Sequence, residues 1–308
     1  MHIKELTENE VKTFTKKFNI KSPYQTIEYG NIMKNQGSEP LYIGLVDNNN
    51  YIYAISLILI KKEYGFKYGY APRGFLIDYT NQSLVEKFTI ELKKYLGKKD
   101  IIAVKLNPAI VRYTYDYNHM VKVKNNYYDE IFENLKKLGY YHLGYNNFFE
   151  AIKPRYEAVL NIDLPFYMVF NNLKKELRTK IRSAESNGIR VYKGDKDSLK
   201  YLYFQTKKKY PRNLIFFEEM YQEYSKSKSI EFYYTKLDTK IYLETTKNLY
   251  EEYETKTQKI SNEIIKYASK NNNSTRIINK KINYDAMFEK YNNQLVYATK
   301  LLSKYPDG

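Results

Sequence analysis

The chain has no cysteine and no tryptophan, and only three histidines and eight prolines in 308 residues. Without cysteine there are no disulfides, no thiolate nucleophile and no thiolate metal site. His2, His119 and His142 show no metal-ligand spacing, so no metal is expected. Long apolar runs are also missing. The longest, residues 51–60, has the length of a strand, about half of the roughly 20 residues a membrane-spanning helix requires. The start, Met1-His-Ile-Lys-Glu-Leu-Thr-Glu8, carries early acids and no apolar stretch, and no secretory signal is read there. Ser/His/Asp and Cys/His groupings are absent in any recognisable form, so no catalytic nucleophile is nominated. The expectation is a soluble cytoplasmic protein.

What is present is bulk and charge. Hydrophobic residues make up 43% of the chain, 36 residues are tyrosine, and the net charge is +16. That hydrophobic share can offset the entropy of ordering, and the length allows two domains. A basic balance points to a polyanionic partner: nucleic acid, a phosphorylated substrate or an anionic membrane face. Its distribution is uneven. Residues 171–212 hold thirteen Lys or Arg against four Asp or Glu, so over half of the excess lies in one seventh of the chain.

Along the chain, strand and helix patterns alternate, which predicts an α/β architecture. A capping box at Thr7-Glu-Asn-Glu10 opens the first helix. Ser22-Pro23 begins a loop ahead of a short helical piece over 26–34. Strands are expected at Leu41–Val46 and Tyr51–Lys61, joined by the polar turn Asp47-Asn-Asn-Asn50, with a third near Phe66–Tyr70. A second capping box, Ser83-Leu-Val-Glu86, would start a helix with Leu84, Val85, Phe88, Leu92 and Leu96 on one face, ending at Gly97. A buried strand at Ile101–Leu106 and a helix over Tyr128–Leu138 follow. Further strands are read at Phe148–Ile152, Val159–Ile162, Ile189–Tyr192 and Ile230–Leu237, with helices at 172–187 and about 198–209. Two similar successions suggest duplication.

The last 70 residues differ. Tyr284, Phe288, Tyr291, Leu295, Ala298, Leu302 and Tyr305 keep a 4-3-4-3 spacing. Leu249, Tyr253, Ile260, Ile264 and Tyr267 nearly do the same. Such a narrow stripe predicts an antiparallel helical-hairpin (coiled-coil) arm, turning at Asn271-Asn-Asn-Ser-Thr275. The other reading is a terminal helix pair folded onto the core.

Two stretches carry the functional signal. One is Tyr70-Ala-Pro-Arg-Gly-Phe-Leu-Ile-Asp78. The other is Leu173-Lys-Lys-Glu-Leu-Arg-Thr-Lys-Ile-Arg-Ser-Ala-Glu-Ser-Asn-Gly-Ile-Arg-Val191, a basic helix pattern running through glycine into a strand. On a helix, Leu173, Leu177, Ile181 and Ala184 fall within about 80° as a buried stripe, while Lys174, Lys175, Arg178 and Arg182 share an adjoining face about 100° wide. Four cations on one face can bind an anion, since arginine forks fit phosphate oxygens. A solvated basic face is the alternative reading. For Arg73 and Asp78, the alternative is an internal ion pair pinning the loop.

In this order and separation, the two stretches resemble the Fem-type (FemABX) aminoacyltransferases. Ser22-Pro-Tyr-Gln-Thr-Ile-Glu-Tyr-Gly-Asn-Ile-Met-Lys34 is similar to that family's early Pro-Phe-x-Gln…Trp…Lys segment, with Tyr29 in place of tryptophan. The resemblance implies two acetyltransferase-like (GNAT-like) domains: residues 1–154, the start of a second at 155–239, and the arm at 240–308. Family members return from the arm into further strands, whereas this chain ends at Lys304-Tyr-Pro-Asp-Gly308. The second domain is therefore expected to be incomplete, and transfer activity by these residues alone is open.

The resemblance also implies a reaction, in which an amino acid passes from aminoacyl-tRNA to the stem-peptide amine of a peptidoglycan precursor. That acceptor is a lipid-linked or nucleotide-linked muropeptide, with peripheral association at the inner membrane face. By the same resemblance Lys34, Lys174, Arg178 and Arg182 approach phosphates, and Tyr70, Arg73 and Asp78 line the peptide cleft. No cofactor is implied beyond aminoacyl-tRNA as donor, and no acetyl-CoA loop is visible. Two alternatives stay open: a non-enzymatic protein of the same fold binding precursor or nucleic acid, and an aminoacyl-tRNA-dependent N-acyltransferase acting on a protein or antibiotic.

Overall fold

Residues 51–60, the longest apolar run, become the central strand of a five-stranded sheet. The computed structural model describes residues 1–18, 22–145, 156–209, 212–268 and 275–308. By contact the chain divides into two units: 1–157 with 207–230, and 158–206 with 231–308.

In the first unit, β1 (His2–Glu5), β2 (Glu39–Val46), β3 (Ile52–Glu63), β4 (Phe66–Ala71) and β5 (Ile101–Leu106) stand in that order. All neighbours are antiparallel except the β4–β5 pair. Parallel neighbours need a crossover, supplied here by α3 (Gln82–Gly97), which follows α1 (Glu8–Lys17) and α2 (Ile27–Asn35) in the chain. Strand β3 is buried on both faces. Ala54, Ile58 and Ile60 pack with Val85, Phe88 and Leu92 of α3, while Ile55 packs with Val11 of α1 and Ile27 of α2. Coverage of both faces accounts for an unbroken apolar run in place of alternation.

The first capping box forms as read: Thr7 N–H donates to the Glu10 carboxylate at 2.8 Å, and Thr7 Oγ1 accepts from Glu10 N–H at 3.3 Å. The second does not. Helix α3 begins two residues earlier, with Asn81 as its cap accepting from Leu84 N–H at 3.0 Å, and Ser83 lies inside the helix. Strand β5 differs as well. Only Ile101 is buried and Ile102 is 67% exposed, because β5 is an edge strand of this sheet. The hairpin of β6 (Tyr113–Tyr115) and β7 (Val121–Lys124) was not expected from the pattern. Helix α4 (Tyr128–Lys137) ends before Gly139 as expected. The strand expected at 148–152 and the boundary at 154 lie outside the described residues.

In the second unit, Val159–Ile162 form no strand; Val159 is 89% exposed and unpaired with any sheet. The helix expected at 172–187 forms as α6 (Lys175–Ser186), preceded by a short helix α5 (Phe166–Asn172) and separated from it by Leu173 and Lys174, whose ψ angles of 149° and 145° are extended. Strand β8 (Ile189–Lys193) follows through Gly188, whose φ is +85°. A Cβ at Gly188 would lie 2.7 Å from the Asp238 carbonyl oxygen, so a side chain is excluded there by both conformation and contact. Helix α7 (Leu199–Thr206) is shorter than expected.

The chain then returns to the first unit for α8 (Leu214–Lys226), a helix the pattern reading missed. It lies in the stretch assigned above to the second domain, yet it packs on α2. Asn31 donates to Glu223 at 3.0 Å, Asn35 donates to Glu219 at 3.1 Å, and the Tyr224 hydroxyl donates to the Pro23 carbonyl at 2.6 Å. Back in the second unit, β9 (Tyr233–Leu237) pairs antiparallel with β8.

Two 30-residue helices end the chain, α9 (Thr239–Ala268) and α10 (Thr275–Lys304). They run antiparallel: Tyr253 meets Tyr284 and Tyr291, Tyr250 meets Phe288, and Thr239 Oγ1 donates to the Tyr305 carbonyl at 2.7 Å. Ile260 and Ala298 are buried along the seam; of the turn expected at 271–275, residues 271–274 lie outside the described residues and Thr275 begins α10. Among the described residues, no helix is long and apolar enough to cross a membrane.

Candidate functional site

The Arg73 loop is an interruption in the β3–β4 ladder. Regular pairing reaches Leu59↔Tyr70, and continuing that register would set Leu57 opposite Pro72. Pro72 has no N–H to give, so the ladder cannot continue through it. Pairing resumes at Ile55↔Leu76, two residues out of register. The intervening residues leave the ladder while staying largely buried, Arg73 has a φ of +52°, and the Gly74–Phe75 peptide is cis.

Four side chains hold this bulge, one of them Tyr79, whose hydroxyl accepts from Phe75 N–H at 2.7 Å. Asn107, at the end of β5, accepts from Arg73 N–H at 3.0 Å and from the Tyr70 hydroxyl at 3.1 Å through the same Oδ1. Gln25 lies in the one-turn 3-10 helix Pro23–Gln25 and is fully buried. It donates from Nε2 to the Pro72 carbonyl at 2.7 Å and accepts at Oε1 from Leu57 N–H at 2.8 Å. Glu157 pairs with the Arg73 guanidinium. The segment carrying Gln25 is itself pinned from α8, where Tyr224 bonds Pro23 and lies 3.1 Å from the Thr26 hydroxyl.

Asp78 does not pair with Arg73. It is exposed and accepts from Thr80 N–H at 2.9 Å and Thr80 Oγ1 at 2.6 Å, closing its own turn ahead of α3. Lys34 is exposed in the last turn of α2. Around the 3-10 helix the tyrosines are withdrawn from water. Burial pushes Tyr29 up to about 12, with nearby Tyr24 and Tyr70 adding to the effect, and burial also raises Tyr70. Tyr24 and Tyr29 meet edge to face at 5.1 Å. At neutral pH the Tyr29 and Tyr70 phenols are uncharged and serve as donors or acceptors, not as bases.

In the second unit the basic stretch is organised differently from a single four-cation face. Lys174 caps α6 from outside the helix, so helical spacing no longer aligns it with Arg178 and Arg182. Arg178 donates to the Asn171 carbonyl at 3.1 Å, satisfying one of the open carbonyls at the end of α5. The Arg182 guanidinium lies over the Phe170 ring at 5.3 Å. Both arginines therefore tie α6 to α5. The expected buried stripe is shallow: no residue of α6 is buried, and Leu177 is 45% exposed. Among the described residues no group of three or more metal-binding side chains occurs.

Sequence reasoning did not single out Gln25, Asn107, Glu157 or Tyr224. Gln25 stands in the quoted stretch 22–34, and a glutamine between an N-terminal proline and a capping threonine was the available signal. For Asn107 the only hint is its place between strand and Pro108. Glu157 and Tyr224 lie 84 and 201 residues from their partners, beyond any local pattern.

The FemAB family model matches residues 6–307 of this chain. Aminoacyltransferase FemA of Staphylococcus epidermidis is 30% identical over 196 residues, covering 62% of this chain and 46% of FemA. FemA of Staphylococcus aureus (strain MW2) is 29% identical over the same length. The chain thus spans about half the length of these curated relatives. The crystal structure of FemX aligns with a TM-score of 0.64 at 19% identity, covering all of this chain and 75% of FemX, a likeness of fold. With its match running almost from end to end, the chain belongs to the FemAB family.

Proposed function

We propose that this protein transfers an amino acid from aminoacyl-tRNA to the stem-peptide amine of a peptidoglycan precursor, building an interpeptide bridge. The observation that carries this reading is the family match over residues 6–307, together with relatives named as aminoacyltransferases. The amine attacks the ester carbonyl of the donor, an amide bond forms, and the ester C–O bond breaks. The tRNA ribose hydroxyl leaves with the proton the amine gives up. The donor ester is already activated, so positioning and charge stabilisation suffice, and neither a covalent enzyme intermediate nor a cofactor is required.

In this reading Arg73 takes a carboxylate of the acceptor peptide, exchanging it for Glu157. Tyr70 and Asp78 line the same peptide. Lys34, Lys174, Arg178 and Arg182 approach the precursor's phosphates. The fold is that of two acetyltransferase-like domains with a coiled-coil arm, working in the cytoplasm at the inner membrane face. The paired helices α9 and α10 offer lysines to tRNA, an interaction that weakens as salt rises.

The test is a transfer assay with charged tRNA against nucleotide-linked muropeptide, lipid-linked muropeptide, a peptide N-terminus and an amine-bearing antibiotic. Label entering the muropeptides alone is expected. Label entering only the peptide N-terminus or the antibiotic overturns the cell-wall acceptor. Tight muropeptide binding without transfer, under conditions where full-length FemA transfers, leaves a binding protein.

A further inference from the structure

The feature that the proposed chemistry leaves unused is the fully buried amide of Gln25, on an element separate from the strands it joins. Its position is informative. Leu57 and Pro72 would face each other if the β3–β4 ladder continued, and the Gln25 amide sits between their backbones. Its Oε1 accepts from Leu57 N–H at 2.8 Å, and its Nε2 donates to the Pro72 carbonyl at 2.7 Å and more weakly to the Leu57 carbonyl at 3.3 Å. A primary amide is the side-chain equivalent of a peptide group, offering one acceptor and two donors. It supplies the N–H that proline cannot and keeps the strands apart by its own width. Gly74 closes over it: a Cβ at that position would lie 3.0 Å from Nε2.

We infer that Gln25 is the positioning residue of Arg73, a side-chain amide wedged into the β3–β4 ladder that props the residue 72–75 bulge and so fixes where the largely buried Arg73 side chain meets Glu157. This rests on the reading that Arg73 binds an acceptor carboxylate. The wedge acts through geometry alone and touches no substrate. Asparagine is one methylene short of spanning the gap, and an apolar side chain of equal size leaves Leu57 N–H and the Pro72 carbonyl unpaired, at a cost.

The probe is UDP-linked muramyl pentapeptide, titrated calorimetrically against the native chain, Gln25→Met, Arg73→Ala and the double variant. Amide exchange of Leu57 and Arg73 is followed in parallel. Gln25→Met is expected to weaken binding about tenfold, the double variant to bind no worse than Arg73→Ala, and both amides to exchange about tenfold faster while the β1–β2 ladder is unchanged. Gln25→Glu, whose protonated acid keeps one donor and one acceptor, should recover part of the affinity as pH falls. It replaces Gln25→Met if that variant does not fold. Multiplying losses in the double variant, or unchanged exchange at Leu57 and Arg73, overturns the wedge. Native affinity in Arg73→Ala with accelerated exchange in Gln25→Met would instead sink the acceptor reading and leave the wedge standing.

Discussion

The two units of this chain are held together in different ways. The first has a layered core: β3 lies between α3 on one face and α1 with α2 on the other, and the fully buried large side chains Phe88, Ile43, Leu45 and Ile58 belong to it. In the second, buried apolar residues among those described are Leu199, Ile260 and Ala298, and tyrosine rings at partial burial line the α9–α10 seam. Burial depth, more than helix or strand content, should therefore set how each unit responds to damage.

That contrast is sharpest at Phe88. Phe88→Ala should destabilise the first unit by about 4 kcal/mol, as truncation of buried aromatics does, with loss of sheet signal in denaturant melts at retained α9–α10 helicity. Equal loss of both signals would break the distinction between the units. Tyr253→Ala removes a partly buried ring that contacts two others, and about 2 kcal/mol is expected from helical melting by circular dichroism, with the sheet untouched. Asn81→Ala should cost about 1 kcal/mol and Ser83→Ala close to nothing, since Asn81 caps α3. The reverse order would restore the capping box that the sequence advertises.

The last effect is confined to alkali. Tyr29 and Tyr224 are each pushed up to about 12, first by burial, from an ordinary value of 10.0. A group whose folded value is raised stabilises fully below its unfolded value and loses that contribution as pH rises towards the folded one. Melting of the first unit should therefore fall between about pH 10 and 12 more steeply than that of Tyr29→Phe. Parallel curves would mean that the phenol is not withdrawn from water in solution.

Periodicity made much of this legible. The apolar run 51–60, the box at Thr7–Glu10 and the 4-3-4-3 spacing from Tyr284 each specify local structure through residues that touch one another, and each forms. Failures come where tertiary partners decide. Ile101–Leu106 reads as buried, yet an edge place leaves Ile102 in solvent. The helix at 172–187 reads as starting at residue 172, yet it starts at Lys175, after a break that Arg178 spans to reach the Asn171 carbonyl of the preceding helix. Of the residues singled out from the sequence, Pro72-Arg73-Gly74 falls where the β3–β4 ladder is interrupted. The Glu157 partner of Arg73 was not legible, and Asp78, the nearer carboxylate, is occupied by its own turn.

The return of the chain at 207–230 bears on how the protein can be dissected. A fragment cut at Glu157 would lack α8, leaving the Pro23–Thr26 turn without Tyr224 and Asn31 without Glu223. The chain crosses between the units three times, so after a nick at residue 157 the first unit is held to the remainder only by non-covalent packing such as that of Tyr224 on Pro23. An excised first unit thus calls for residue 157 to be spliced to 207, since a plain deletion after 157 removes α8 and its bonds to Pro23 and Asn31.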